Sequence, residues 1–303
     1  MGDIIHCLPG ATSLKHSFPQ ARITWVVEPH WKPLLEGSPF VDRLVFLRRS
    51  EPRTWRETRA ELLSQHYDLA VDFQGLVKSA LVATLARPER IAGFATGVVR
   101  ERAAGFFYSA RVPSKAVHVV DQALDLAKGA GAANLVRAFP IPQGMAEGSL
   151  PGEPFVLASP LAGWTSKQWP LEYYAELATL VRERLGMPLV LNGAPGMVPV
   201  IAGTWQHESG IAGLIDATRR AALVVGVDSG PLHLAAALKK SGVAIFGPTD
   251  PARNGPYGGD FHVFRTPGAL TTHRRGASID PSMRAITPEQ VFHALESRVP
   301  CPA

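Results

Sequence analysis

Short apolar runs alternate with amphipathic stretches along the whole chain. Several of the apolar runs are nearly continuous in Val, Ile and Leu, which is typical of parallel strands buried on both faces. The pattern predicts strands over 23–28, 42–47, 67–73, 90–94, 154–159, 188–193, 222–228, 242–247 and 261–266. It predicts helices over 54–65, 76–86, 119–130, 171–185, 229–239 and 287–298. Strands that alternate with helices indicate βαβ units, so we expect an α/β fold with doubly wound parallel sheets.

The alternation is interrupted over residues 139–154 (FPIPQGMAEGSLPGEP). This segment contains four Pro and three Gly and has no hydrophobic period, which is typical of a linker. It predicts two Rossmann-like domains, residues 1–146 and residues 147–303. We expect them to face a cleft and to bind ligands at the carboxyl ends of their strands.

Composition places the chain among ordinary soluble globular proteins. Of its 303 residues, 46% are hydrophobic and 19% are charged. No apolar run reaches the ~18 residues of a membrane helix, and the sequence MGDIIHCLPG lacks the features of a signal peptide. The two cysteines, Cys7 and Cys301, have no metal-ligand spacing and fit a reducing cytoplasm better than a disulfide framework.

The net charge of +5 is concentrated in the first half of the chain. Residues 1–150 carry 18 Lys and Arg against 14 Asp and Glu, whereas the remainder carries 13 against 12. Much of the excess lies in residues 48–59 (RRSEPRTWRETR), where Arg49, Arg53 and Arg56 have the spacing of one helix face. This stretch predicts either a solvated helix face or a patch for phosphate or an anionic membrane surface.

The residues that are candidates for binding or catalysis lie in two loops within residues 224–258. Each loop comes directly after a predicted strand. Asp228, Ser229 and Gly230 form a small polar turn after the first strand, and Pro231 suits the start of the next helix. Exposed backbone N–H groups at such a helix start favour an anion such as a diphosphate. His233 follows in the first turn, and the next strand ends in a second polar loop, FGPTDP. Taken singly, Asp228 or Ser229 could be an ordinary N-cap, and His233 a packed helix residue.

Three common motifs do not account for this run. GVDSG lacks the Gly two residues before the Ser that a nucleophile elbow requires. The chain contains no GxxxxGK[ST] phosphate-binding loop. It also has no GxGxxG opening a helix after a strand, which weakens the alternative of a nicotinamide-dependent oxidoreductase.

The run DSGPLHLAAA, followed by a strand and FGPTDP, resembles the signature of glycosyltransferase family 9. These enzymes are the ADP-heptose:lipopolysaccharide heptosyltransferases, and they have the two-domain GT-B fold. MGDIIHCLPG, YDLAVDFQGLVKSAL and SKQWPLEYYAEL resemble further family segments in the family's order. The QGL segment is most like the heptosyltransferase I subgroup.

The resemblance implies an inverting transferase with ADP-L-glycero-D-manno-heptose as donor and a Kdo sugar on lipid A as acceptor. It assigns Asp3 as the general base, although an Asp there could also be a simple N-cap. It implies that Lys167 contacts the donor diphosphate. The sequence around Lys167, taken without the resemblance, predicts an ordinary surface lysine. The remaining implied donor residues are Asp228, Ser229, Gly230, His233, Thr165 and Thr249. The implied acceptor residues are Lys78, Arg48 and Arg49.

We expect no metal and no cofactor besides the ADP-heptose donor, because no carboxylate or His cluster in the sequence has metal-ligand spacing, and lysine and backbone amides can hold the leaving diphosphate. The resemblance implies a cytoplasmic enzyme in peripheral contact with the inner face of the inner membrane, where the anionic glycolipid lies, and no nucleic-acid partner. Two alternatives stay open besides the oxidoreductase. One is transfer of a different sugar to a different acceptor, and the other is a non-catalytic module that binds a nucleotide sugar.

The chain departs from the family pattern in three places. The family has a strand and a tight loop before MGD, so we expect the upstream DNA to encode about ten further residues, with Met1 an internal Met. The segment GAPGMVPV (193–200) lacks the acid that holds the donor ribose in the family. A Thr pair before the donor lysine is replaced by Thr165 and Ser166.

Overall fold

The computed structural model describes residues 1–272 and 276–299. The chain divides into a first unit, residues 3–142, and a second unit, residues 143–303 together with Met1 and Gly2. This division lies within the segment that was predicted as a linker. Cys7 is buried, whereas Cys301 and the end of the predicted second domain lie outside the described residues.

The first unit contains two parallel sheets with helices between their strands. Its strands are β1 (Thr24–Val27), β2 (Arg43–Phe46), β3 (Leu69–Asp72), β4 (Arg90–Phe94) and β5 (Ala110–Val112). Its α-helices are α1 (Gly2–Ser17), α2 (Pro52–Leu63), α3 (Val77–Leu85) and α4 (Val119–Ala130), and 3-10 helices cover Pro29–Leu34 and Arg102–Phe107. One sheet pairs β1 with β2, and the other has the order β3-β4-β5. The strands β1 and β3, which would flank the expected upstream strand, are in different sheets, and that strand stays a prediction.

Apolar side chains of α1 and α4 cover the three-stranded sheet. Phe94 and Leu126 belong to one buried cluster, against which Leu14 of α1 packs. Gly93 in β4 is required by a close approach, because a Cβ there would lie 2.3 Å from the ring of Tyr108. The absence of a side chain at Gly93 lets Tyr108 lie across the strand and reach the end of β3.

The second unit is built on a single six-stranded parallel sheet. Its strands are β6 (Val156–Ser159), β7 (Leu189–Gly193), β8 (Thr204–Glu208), β9 (Leu223–Val227), β10 (Ser241–Phe246) and β11 (Asp260–Arg265). Its helices are α5 (Leu171–Leu185), α6 (Ile211–Arg220), α7 (Gly230–Ala237), α8 (Pro251–Asn254), α9 (Pro281–Arg284) and α10 (Pro288–Glu296), with a 3-10 turn at Thr165–Lys167. The strand order is β8-β7-β6-β9-β10-β11, with all pairs parallel. This is the doubly wound order 3-2-1-4-5-6, whose connections reverse direction between β6 and β9.

Buried apolar clusters cover both faces of this sheet, as the continuous apolar runs predict. The larger cluster includes Trp169, Tyr174 and Phe292, and a smaller one includes Phe155 and Val190. Trp169 is fully buried, and its indole Nε1 donates to the Ile286 carbonyl at 2.8 Å. Removing such a side chain costs about 3–5 kcal/mol, because it leaves a cavity in a close-packed core.

The predicted strands and helices are confirmed with their ends shifted by no more than two residues. The sequence pattern missed β5, β8, α1, α6 and the one-turn helices α8 and α9. One interpretation is wrong: Arg49 does not share a helix face with Arg53 and Arg56, because α2 begins only at Pro52.

Candidate functional site

The predicted donor residues of the second unit lie on loops at one edge of its sheet. Because all six strands are parallel, the loops after β6, β9 and β10 leave the sheet at the same, carboxyl edge. Lys167 lies on the connection after β6, Asp228 directly follows β9, and Thr249 follows β10. This is the edge at which open α/β sheets bind their ligands.

Lys167 and Asp228 form a shielded ion pair. Nζ of Lys167 donates to Oδ2 of Asp228 at 2.6 Å, and the two side chains are only 15% and 5% exposed. Nζ also lies 4.3 Å from the centre of the Trp164 ring, a cation–π distance. Nε2 of His233 lies 3.4 Å from the other carboxylate oxygen. Strands and loops more than sixty residues apart in sequence therefore bring three of the predicted donor residues together.

The surroundings of Asp228 keep it ionised. Burial by itself would raise the pKa of this carboxyl group, but the hydrogen bond from His233 and the positive charge of Lys167 outweigh burial. They hold the pKa of Asp228 well below its usual range. The site therefore contains a fixed negative charge that orients Lys167, while the ammonium group has two further hydrogen-bond donors for an anionic ligand.

Two of the predicted donor residues have buried hydroxyl groups. The buried Oγ of Ser229 and the buried Oγ1 of Thr249 form no hydrogen bond with any described residue. Ser229 is the N-cap residue of α7, yet its side chain makes no capping bond, so the simple N-cap alternative does not hold for it. Gly230 is the first residue of α7, whose N-terminal amides have a partial positive charge. Buried hydroxyls are normally satisfied, so these two are available to a polar ligand.

The 3-10 turn that contains Lys167 has two further hydroxyls. Thr165 is exposed at its start. Ser166 is buried, and its Oγ also lacks a hydrogen-bond partner within the described residues. The turn therefore places a cation and an unsatisfied hydroxyl on neighbouring residues, in place of the family's Thr pair.

Asp3, the predicted general base, lies in the first turn of α1 in the first unit. Its Oδ2 pairs with Nη1 of Arg100 at 3.1 Å, and about half of each side chain is exposed. Sequence reasoning did not identify Arg100, because it is 97 residues away and belongs to no motif. The arginine orients the Oδ2 oxygen, and within the described residues this is the hydrogen bond that holds the Asp3 side chain, which is about half exposed to solvent.

The predicted acceptor residues are exposed, and no hydrogen bond or ion pair within the described residues joins them to one another. Arg48 and Arg49 lie in the turn between β2 and α2, where Thr54 Oγ1 donates to the Arg48 carbonyl at 2.7 Å. Their guanidinium groups pair with surface carboxylates, Arg48 with Glu51 and Arg49 with Glu28. Lys78 is exposed at the start of α3 and forms no ion pair within the part of the chain that is described.

Asp72, at the carboxyl end of β3, organises the QGL segment and was missed by sequence reasoning. It is 5% exposed and accepts hydrogen bonds from the amides of Gln74 and Gly75, from Ser79 Oγ at 2.8 Å and from Tyr108 at 2.6 Å. Burial, followed by the charge and hydrogen bond of Asp72, raises the pKa of Tyr108 far above its usual range, so the phenol remains a donor. Part of the signal was present, since Asp72 lies next to the end of the predicted strand 67–73 and three residues before Gly75, which has a φ of +68°.

A possible metal-ligand group lies elsewhere. His66, Asp68 and Glu89 have ligand atoms within 4.8 Å of one another, and all three are exposed. They precede β3 and β4, at the opposite ends of these strands from Asp72. This group is therefore unrelated to the carboxyl edge that carries the predicted chemistry.

The fold and the site define a doubly wound α/β protein with a shielded Lys–Asp pair at the carboxyl edge of its sheet, the edge at which such folds bind ligands. The profile of glycosyltransferase family 9 (heptosyltransferase) matches residues 55–279. The chain belongs to this family and is a glycosyltransferase.

Two relatives with established names are similar over most of the chain. The lipopolysaccharide heptosyltransferase 1 of Pseudomonas aeruginosa is 29% identical over 286 residues, covering 85% of this chain and 79% of the relative. The lipopolysaccharide heptosyltransferase 1 of Escherichia coli K12 is 29% identical over 300 residues, covering 88% and 91%. These similarities confirm the predicted heptosyltransferase family and the predicted class of function, heptose transfer in lipopolysaccharide core synthesis.

Solved structures show the same fold. E. coli heptosyltransferase WaaC with ADP has a TM-score of 0.79 at 24% identity, covering 98% of this chain and 97% of that one. A family 9 glycosyltransferase from Veillonella parvula has a TM-score of 0.80 at 20% identity, covering 99% and 94%. The predicted α/β class and GT-B fold are confirmed. Among the described helices, none combines the length and the apolar character that crossing a bilayer requires.

Proposed function

We propose that this protein transfers heptose from ADP-L-glycero-D-manno-heptose to a Kdo residue of the lipopolysaccharide inner core, with inversion at the anomeric carbon. The observation that carries the proposal is the shielded Lys167–Asp228 pair at the carboxyl edge of the six-stranded sheet. The names of the relatives, lipopolysaccharide heptosyltransferase 1, support this donor and this acceptor class.

The second unit supplies the charge that stabilises the leaving group. In the reaction, an acceptor oxygen forms a bond to the anomeric carbon while the bond from that carbon to the diphosphate breaks. Negative charge then develops on ADP, and Lys167 Nζ together with the N-terminal amides of α7 would stabilise it. Ser229 and Thr249 would donate their free hydroxyls to the same ligand. No metal ion enters this scheme, because the lysine and the amides supply the positive charge.

The first unit supplies the base. The Asp3 carboxylate would take the proton from the attacking hydroxyl, with Arg100 holding it in one orientation. The exposed cations Arg48, Arg49 and Lys78 would contact the anionic groups of the glycolipid. This assignment predicts a cytoplasmic enzyme that meets its lipid substrate at the inner face of the inner membrane, with no nucleic acid involved.

A direct assay tests the proposal. The purified protein is mixed with ADP-heptose and Kdo-lipid A, and products are followed by mass spectrometry and by the anomeric configuration in NMR spectra. We expect the lipid to gain one heptose residue and ADP to be released. ADP-mannose and ADP-glucose serve as matched donors that should react far more slowly. Binding of ADP-heptose without turnover would instead indicate a non-catalytic module, and preference for another sugar would reassign the donor.

A further inference from the structure

Glu208 is a carboxylate at the carboxyl edge of the second unit that no motif identifies. It is the last residue of β8, and its register partner on β7 is Gly193. Its neighbours His207 and Ser209 are 0% and 5% exposed, whereas Glu208 itself is exposed. Because successive side chains of a strand point to opposite faces, this alternation directs Glu208 away from the core that surrounds His207 and Ser209.

The end of the neighbouring strand, β7, has no carboxylate that could bind a ribose in place of Glu208. In doubly wound nucleotide-binding folds, an acid near the end of the second strand binds the ribose hydroxyls. The second strand here is β7, which ends in Asn192 and Gly193. The Asn192 amide is used internally: its Nδ2 contacts His207 Nδ1 at 2.9 Å and donates to Ser209 Oγ at 2.8 Å. The segment that follows, 194–200, contains no charged residue.

Glu208 reaches back to that segment. The backbone amide of Gly196 donates to Glu208 Oε1 at 3.0 Å, so the carboxylate is held against the loop after β7. A carboxylate has about four lone-pair positions, and one hydrogen bond leaves the others available. Fixing the carboxylate before a ligand arrives lowers the entropy that binding has to offset.

The distances along the sheet fit a nucleoside diphosphate. Neighbouring strands lie about 4.8 Å apart, so β8 is roughly 10 Å from β6 and roughly 14 Å from β9. About seven covalent bonds join the β-phosphorus of ADP to a ribose hydroxyl, and with one hydrogen bond this chain spans roughly 11 Å. A diphosphate held by Lys167 between the ends of β6 and β9 lies roughly 10 to 14 Å from the end of β8, and the nucleotide's reach of roughly 11 Å together with the length of the Glu208 side chain brings a ribose hydroxyl to that carboxylate.

We propose that the Glu208 carboxylate accepts hydrogen bonds from the ribose hydroxyls of the donor nucleotide and selects ribonucleotides over deoxyribonucleotides. This inference rests on the proposed function, because it takes the donor to be an ADP-sugar. It supplies the ribose contact that the missing acid in residues 193–200 leaves open.

Calorimetry with ADP and 2′-deoxy-ADP tests the inference on the full chain. The wild-type protein should bind ADP about tenfold more tightly than 2′-deoxy-ADP, since one hydrogen bond to a charged acceptor is lost. In Glu208→Gln, an amide oxygen can still accept from the Gly196 amide, but the charge is removed, and we expect the preference to fall to about twofold or less. Glu172→Gln, an exposed glutamate on α5, is the matched control and should keep the full preference.

The outcomes separate the two proposals. Wild-type protein that binds no ADP would contradict the proposed function. Wild-type protein that binds ADP with no preference over 2′-deoxy-ADP, or a Glu208→Gln variant that keeps the full preference, would overturn the role of Glu208 alone. The midpoint of thermal unfolding of a Glu208→Ala variant is the control for folding. A midpoint equal to that of wild type shows that any loss of binding is not caused by loss of the fold.

Discussion

The candidate donor residues of the second unit and the candidate acceptor residues of the first unit are held in opposite ways. Lys167, Asp228 and His233 lie at the edge of one continuous sheet, are largely shielded from water and contact one another. Arg48, Arg49 and Lys78 are exposed, and the two arginines pair only with surface carboxylates. The difference indicates that the candidate donor site is organised before a ligand arrives, whereas the candidate acceptor residues are separate, exposed surface charges.

Removing the buried carboxylate should have the largest effect. In Asp228→Ala, Lys167 is left as a shielded charge without its partner, and we expect the free energy of unfolding to fall by about 3–5 kcal/mol. Chemical denaturation measures this, with Asp68→Ala, a 91% exposed aspartate, as the matched control. Equal stability of the two variants would contradict the description of Asp228 as part of a buried network.

The same network has a defined pH dependence. The pKa of Asp228 is lowered in the folded state, so its contribution to stability is fully present above the unfolded value of about 3.9 and is lost as the pH falls towards the folded value. The stability difference between wild type and Asp228→Asn should therefore be constant from pH 5 to neutral pH and shrink below about pH 4. A stability difference that grows as the pH falls would show that the pKa of Asp228 is not lowered by folding.

The first unit has its own buried carboxylate, and this sharpens the comparison. In Tyr108→Phe, Asp72 loses one of its hydrogen-bond donors inside the protein, and we expect a loss of about 1–3 kcal/mol in the free energy of unfolding. Tyr173→Phe removes a partly exposed hydroxyl that donates to the Arg284 carbonyl at 3.2 Å, and should cost less. If Tyr108→Phe is as stable as wild type, Asp72 does not organise the QGL segment through this bond.

Exposed charges should have the smallest effect. Reversing Arg49 and Arg53 to Glu should leave stability within about 1 kcal/mol of wild type, because surface ion pairs contribute little. It should raise the KM for the glycolipid at low salt, leave the KM for ADP-heptose nearly unchanged, and lose this effect at high salt. Reversal of Arg182 and Arg184 on α5 is the matched control. Unchanged acceptor kinetics at low salt would leave this stretch as a solvated surface.

The strands and helices that could be predicted from sequence are those whose own residues form an apolar run or an amphipathic repeat. The strands β6, β7, β9 and β10 are buried on both faces and are read directly from their apolar runs. β8 (TWQHE) was missed because it is an edge strand without an apolar run: its buried residue is His207, and Trp205 is exposed. α6 was missed because it begins after a Ser-Gly pair and contains Gly213, which packs against Glu147.

The candidate site was predictable in its residues but not in its contacts. The turn at Asp228 and the lysine at 167 follow from motifs, whereas their pairing requires the sheet to bring two distant loops together. Arg100, Asp72 and Glu208 were missed for the same reason, since each acquires its role from a partner in another element. Long-range pairing is a property of the fold rather than of any local segment.

The most direct test of the account is the affinity for ADP of Lys167→Ala compared with Lys128→Ala, an exposed lysine on α4 with the same change in charge. Both affinities are measured by calorimetry on folded protein at neutral pH. We expect Lys167→Ala to bind ADP at least tenfold more weakly than wild type, about 1.4 kcal/mol, and Lys128→Ala to bind ADP as wild type does. Equal ADP affinity in the two variants would contradict the assignment of the Lys167–Asp228 pair as the donor site.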